Sequence, residues 1–231
     1  MFAIEGVGAI DDTSDLVAVF LAALDAQGEE LLNHDVVAVT SKVVAKAEGR
    51  VVPFDGTEEA KIALVESESR RVLRRRGPLR ITETHHGFIC ANAGIDLSNT
   101  ADGTAVLLPV DPDRSARRFR ADLRRQRGVD VGVVVTDTFG RVWRQGVTDV
   151  AIGAAGLRPI HDLRGSTDAN GRVLEATEVA VIDEIAGAVN LVLAKNAGTP
   201  FAIVRGLEDH FFGEGSIADD VVRRAHDDLF R

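Results

Sequence analysis

The chain has 231 residues, 45% of them hydrophobic and 27% charged, with a net charge of −9 at neutral pH. That length suits one large domain or two small ones with a proper core, and the acidic balance argues against general nucleic-acid binding. A single cysteine excludes an intrachain disulfide framework or a zinc ribbon, and no apolar run approaches the ~18 residues of a membrane span. The N-terminus lacks the basic start and apolar stretch of a signal peptide, so a cytoplasmic protein is expected. Aromatics are only 5% and tyrosine is absent, which leaves Val, Ala, Leu and Ile to build the core.

Residues 1–10 read as a short strand followed by a turn at Gly6 and Gly8. Thr13 or Ser14 caps a helix with Leu16, Val17, Phe20, Leu21 and Leu24 on its apolar face, and Gly28 ends it. Asp35 to Thr40 is a strand. Ser41, Lys42 and Lys46 follow, before a second extended run through Val51 and Val52. From Thr57 a helix is predicted through about Arg76, with Ile62, Val65, Val72 and Leu73 inward and Gly77-Pro78 as its stop. Its arginines, like those from Arg114 to Arg127, read as solvated helix faces. Leu79 to Thr84 and Gly87 to Ala91 form two strands joined by His85 and His86. Adjacent histidines cannot face one site on a regular strand, so the pair is read as a turn. Cys90, in an apolar run, reads as a small buried hydrophobe.

A loop of small and oxygen-bearing residues runs from Asn92 to Asn99, and Ala105 to Val110 is a strand. Asp111 and Pro112 open a helix that buries Ala116, Phe119 and Leu123 and ends at Gly128. The stretch Val133 to Val135 is a buried strand that delivers Thr136, Asp137 and Thr138 to a turn at Gly140. Small residues dominate Ala151 to Gly156, and Ile160 to Val173 is a long irregular stretch. Thr177 caps the longest helix, with Val179, Ile182, Ala186, Val189 and Leu193 inward and Gly198 as its end. Phe201 to Val204 is a strand. Ser216 and Asp219 cap a last helix that buries Val222, Ala225 and Leu229.

Three loops share a chemical character: Asn92–Asn99, Thr136–Gly140 and Gly213–Ser216. Each combines small residues with carboxylates, here Asp96, Asp137 and Glu214. Asp137 supplies a carboxylate and Thr138 a hydroxyl, the hard oxygens preferred by Mg²⁺ or Mn²⁺. Lys42 and Lys46 stand where a nucleotide phosphate would be neutralised. Together these are the parts of a metal–phosphate site. The alternative at the central stretch is a strand, a turn with a capping Asp, and solvated arginines. No P-loop, dinucleotide fingerprint, nucleophile elbow or HExxH is present.

The segments TSKVVAKAEGR (40–50), ANAGIDLSN (91–99), LLPVDPD (107–113), VVVTDTFGRVWRQGVTDVAIGAAGL (133–157), ATEVAVIDEIA (176–186) and AIVRGL (202–207) occur in an order that resembles the coenzyme F420-0:γ-glutamyl ligase family. Only the ligase part is matched; the nitroreductase-like C-terminal domain of some actinobacterial members has no counterpart. The resemblance implies a mixed α/β fold with mixed sheets. Residues 1–231 would act as a single functional unit in two subdomains, within an intertwined homodimer whose site is built partly across the interface. It implies GTP, two Mg²⁺ or Mn²⁺ ions and K⁺. The reaction would phosphorylate the terminal carboxylate of F420-0 and join it to L-glutamate, with further γ-linked glutamates in later rounds. Carried over by position, Asp96 and Asp137 match ligands of one metal and Thr138 and Glu214 ligands of the second. Asp96 and Asp137 are the catalytic candidates. Ser41, Lys42, Lys46 and Asn99 match nucleotide contacts, as does the turn Val7, Gly8, Ala9, Ile10. Gly213, Gly215 and Ser216 match the loop closing over the nucleotide. Family members often carry Leu-Pro where this chain has Val7-Gly8. Arg141, Arg144 and Arg164 are candidates, on charge and position, for holding F420-0 or glutamate. Two other readings use the same loops: a metal-dependent nucleotide phosphohydrolase, and a nucleotide-binding module without turnover.

Overall fold

The computed structural model describes residues 1–97, 103–193 and 198–229. In chain order the elements are β1 (Phe2–Ile4), α1 (Leu16–Ala26), β2 (Val36–Thr40), α2 (Ser41–Ala47), β3 (Val51–Pro53), α3 (Glu58–Ser67), β4 (Ser69–Arg76), β5 (Leu79–Thr84), β6 (Ile89–Ala91), β7 (Thr104–Val106), α4 (Pro112–Arg127), β8 (Gly132–Gly140), β9 (Val147–Ala155), β10 (His161–Asp162), β11 (Glu178–Val179), α5 (Val181–Val189), β12 (Phe201–Val204) and α6 (Ile217–Asp220). This is a mixed α/β fold. Its principal sheet has five strands in the order β1-β12-β2-β8-β9, with β2 and β8 parallel and the other pairs antiparallel. Three smaller sheets pair β4-β5-β6, β3-β7 and β10-β11. Among the described residues no helix is long and apolar enough to cross a membrane.

The central strands are apolar without interruption because they are buried on both faces. Val36 to Val39, Val133 to Val135 and Phe201 to Ile203 have no solvent exposure. Phe20 of α1, Phe119 of α4 and Phe201 of β12 meet at centroid distances of 5.3–6.1 Å and fill the layer between helices and sheet. Asp113, in the first turn of α4, is a buried carboxylate with a structural task. It accepts from Ala154 N in β9 (2.8 Å) and from Ile217 N and Ala218 N at the start of α6 (2.9 and 3.1 Å). The DPD segment therefore ties α4, β9 and α6 together. Gly153 permits this approach, since a Cβ there would fall on the Pro112 carbonyl.

Several expectations are corrected. The cap of α1 is Asp15, which accepts from Val17 N and Ala18 N, while the hydroxyls of Thr13 and Ser14 turn to Asp11. Thr57 caps α3 as predicted, but the helix stops at Ser67 and residues 69–76 form β4. Glu83 explains the change: its buried carboxylate takes Arg70 Nη1 at 3.2 Å and Arg71 Nε at 2.7 Å, the second from directly across the strand pair. Ser41 to Ala47 forms a helix where none was predicted. The strand predicted from Ala105 to Val110 is shorter, Thr104–Val106. Thr136, Asp137 and Thr138 lie within β8, which continues to Gly140; the small-residue run from Ala151 is its partner β9. Helix α5 begins at Val181, not at Thr177, and Val179 lies in β11; the longest helix is α4 with 16 residues. After α6 the chain does not bury Leu229, which is 90% exposed.

Candidate active site

Sheet register gathers the site. Ile4, Phe201, Val39, Val135 and Gly153 form one row across all five strands. Every segment leaving that row in the same direction emerges on one edge of the sheet: Val7 to Ile10 after β1, Gly198 to Pro200 before β12, Thr40 and Ser41 at the end of β2, Thr136 to Thr138 in β8, and Asp149 in β9. These segments line a cleft of about 710 Å³, closed on another side by Ala91, Gly94 to Asp96 and Val106 to Leu108. That size falls in the range of small-ligand pockets, and the carboxyl ends of adjacent parallel strands are where open α/β sheets place them.

Asp137 is the centre of the cleft's electrostatics. Burial pushes its carboxyl up to about 7, with Asp149 and Asp96 adding to the push; the Thr138 N–H, at 2.8 Å, and the Ser41 hydroxyl act the other way. Asp96 reaches the cleft on a short loop with Asn92, Ala93 and Gly94 all at positive φ. A Cβ on Gly94 would stand 2.8 Å from Leu108, so glycine is required both for space and for backbone conformation. Asp96 then exchanges backbone hydrogen bonds with Val106, both 2.9 Å, and its carboxylate meets Lys42 Nζ at 2.6 Å. Lys42 and Lys46 project from α2, which begins at the end of β2.

Thus Asp96, Asp137, Thr138, Ser41, Lys42, Lys46 and the turn Val7 to Ile10 share one cleft. Asn99 lies outside the described residues. Glu214, Gly213, Gly215 and Ser216 lie elsewhere. Gly213 N donates to Gly156 O, past the far end of β9, and the Glu214 side chain is 87% exposed with Arg120 Nη1 at 3.5 Å. From Gly132, beside Gly156, to Thr138 the strand spans roughly 20 Å. Within one chain, therefore, Thr138 and Glu214 do not share a cation. Arg164 is paired with Asp162 (2.6 Å) and Glu178 (3.0 Å), which fastens β10 to β11. Arg141 and Arg144 are exposed on the β8–β9 hairpin tip. His86 Nε2 is 2.9 Å from the Pro109 carbonyl, as befits a turn residue.

One cleft carboxylate escaped the sequence reading. Asp149, 5% exposed, accepts from the Thr138 hydroxyl at 2.6 Å. Its signal was a lone carboxylate in an otherwise apolar run, legible only once β9 is paired with β8.

The donor set fits a divalent cation bound with an anionic ligand. Among the described residues no three His, Cys, Asp or Glu side chains form a metal cage by themselves. Mg²⁺, however, is ordinarily held by one or two carboxylates, with phosphate and water completing the shell. The repulsion that Asp149 and Asp96 exert on the Asp137 carboxyl is one that a bound cation would relieve. Thr136 and Thr199 line the same cleft, and among the described residues their buried hydroxyls have no hydrogen-bond partner. Buried polar atoms in that condition are places where a bound water or a ligand completes the hydrogen bonding.

A family model described as F420-0:Gamma-glutamyl ligase matches residues 6–206. The chain belongs to that family. It is 41% identical to the coenzyme F420:L-glutamate ligase of Methanopyrus kandleri, over 91% of each protein. It is 36% identical to the enzyme of that name from Methanothermobacter thermautotrophicus, over all of this chain and 98% of the relative. The corresponding protein of Archaeoglobus fulgidus is also 36% identical, over all of this chain and 96% of the relative. The family match takes in every segment that lines the cleft and stops short of the Gly213 to Ser216 loop.

Proposed function

We propose that this ligase-family enzyme joins L-glutamate to coenzyme F420-0 at the expense of GTP, through an acyl phosphate. The observation that carries the proposal is the meeting of Asp96, Asp137, Lys42 and Lys46 in one cleft at the end of the parallel pair β2 and β8. The family and the relatives' names supply the ligase reaction; the cleft's chemistry supports the nucleotide.

A carboxylate is a poor electrophile, and phosphorylation gives it a leaving group. Lys42 and Lys46 neutralise the nucleotide phosphates, and Ser41 with the Val7 to Ile10 turn orients the nucleotide. Asp96, Asp137 and the Thr138 hydroxyl would hold Mg²⁺ or Mn²⁺. When bound, such ions neutralise the phosphates and align the in-line transfer. The amine of L-glutamate then attacks the acyl carbon, the C–O bond to phosphate breaks, and an amide, GDP and phosphate result. Glu214 fits this scheme as a group delivered by a second copy of the chain, in a homodimer. A K⁺ requirement and repeated glutamylation belong to the same proposal.

The test is to incubate the pure protein with F420-0, GTP, L-glutamate and Mn²⁺ and to read product masses. A product heavier by one glutamyl residue, dependent on GTP, is expected. Rapid phosphate release from GTP without F420-0 and glutamate, and no heavier product, would favour a phosphohydrolase.

A further inference from the structure

Strands β8 and β9 are not in uniform register. Val135 faces Gly153, but Thr136 faces Ala151, so Ile152 is an extra residue on β9. From that bulge onward Thr138 faces Asp149. Without it Thr138 would face Val150, and Asp149 would sit across from Phe139 on the other side of the sheet. The bulge is held from outside the ladder. Asp183, in the first turn of α5, accepts from Ala151 N at 2.9 Å. Asp183 is half-buried beside β9 and Ala151 is buried, so loss of the carboxylate would leave the Ala151 N–H unpaired in the interior.

The consequence falls on one hydroxyl. Thr138 Oγ1 has a single proton, and it goes to Asp149 Oδ1 at 2.6 Å. Both lone pairs are then left for the cleft, and the rotamer is locked by a short bond to a buried acceptor. We propose that Asp149 is a positioning residue that presents the Thr138 hydroxyl to a divalent cation, and that Asp183 secures Asp149 by pinning the bulge. This rests on the reading of Thr138 as a cation ligand.

The experiment titrates Mn²⁺ into metal-free protein with GDP present, so that no turnover occurs, and reads free Mn²⁺ by electron paramagnetic resonance. Thr138→Ala should weaken binding. Asp149→Ala should weaken it by about ten- to a hundredfold, the usual effect of losing a partner that orients a ligand. The double variant should be no weaker than Thr138→Ala alone, because both changes remove one hydroxyl's contribution. Asp149→Asn, whose amide oxygen still accepts, should recover most of the affinity, and it replaces the Ala variant if that fails to fold. Asp183→Ala should lower both Mn²⁺ affinity and Tm, and Asp183→Asn should restore both.

Wild-type affinity in Asp149→Ala, or losses that add in the double variant, would overturn the positioning role. So would a loss in Asp149→Asn as large as that in Thr138→Ala, which would mark Asp149 as a ligand itself. Wild-type affinity in Asp183→Ala would remove the bulge from the argument. Unchanged affinity in Thr138→Ala would instead overturn the reading of Thr138, a different failure from that of Asp149.

Discussion

Asp137 holds a proton more tightly than an ordinary aspartate because it is buried among Asp149 and Asp96. With chelator present, the folded metal-free protein keeps that proton up to about pH 7, whereas the unfolded chain loses it near the ordinary aspartate value of 3.8. Between those values the native state binds more protons than the unfolded state. Stability from this group is therefore full at low pH and declines as pH rises, by up to about 1.4 kcal/mol per unit, flattening above pH 7. Urea unfolding of the metal-free wild type and of Asp137→Asn at pH 5 and pH 7 checks this. The wild type should lose more stability across that interval than the variant, and parallel behaviour would remove Asp137 as the source. The same neighbourhood acts on Cys90. Burial, reinforced by Asp137, pushes its thiol up to about 12. The thiolate is the reactive form, so a thiol reagent at pH 8 should label native protein far more slowly than urea-unfolded protein. Comparable rates would contradict the buried environment.

At the scale of elements, the chain's own signals resolved those parts whose burial is simple. Strands β2 and β12 and helix α4 are uninterrupted apolar runs or a capped amphipathic stretch, and the expected boundaries match within a few residues. Where long-range partners decide, local pattern was insufficient. Residues 69–76 look like the continuation of a helix until Glu83 arrives from the next strand to receive Arg70 and Arg71. The run from Ala151 reads only as a stretch of small residues, and it is small because α4 presses against it. Gly153→Ala tests that reason. The added methyl would meet the Pro112 backbone, which cannot move without disturbing Asp113 and its three N–H partners. Overpacking of this kind should cost about 3 kcal/mol, or roughly 10 °C in Tm for a chain of this length. A variant that melts with the wild type would show that α4 yields.

At the scale of the whole molecule, the residues matched to the site divide between two edges of the sheet. Asp96, Asp137 and Thr138 stand on one edge, while Glu214 is exposed on the other beside Arg120. Position in the sequence could not show this division, because it follows from which strands pair. If Glu214 serves the reaction, it must reach the cleft of another copy, as the proposed homodimer allows. Complementation distinguishes the arrangements. Asp137→Asn and Glu214→Gln should each be inactive as homodimers. In a mixed dimer, the Glu214→Gln copy contributes an intact Asp137 and the Asp137→Asn copy an intact Glu214, so one of the two clefts is whole. Random exchange of equal amounts makes about half the dimers mixed, and activity should recover to about a quarter of wild type. If Glu214 acted within its own chain, every cleft in the mixture would carry one defect and no activity would return. Unimpaired turnover in Glu214→Gln alone would remove that residue from the site.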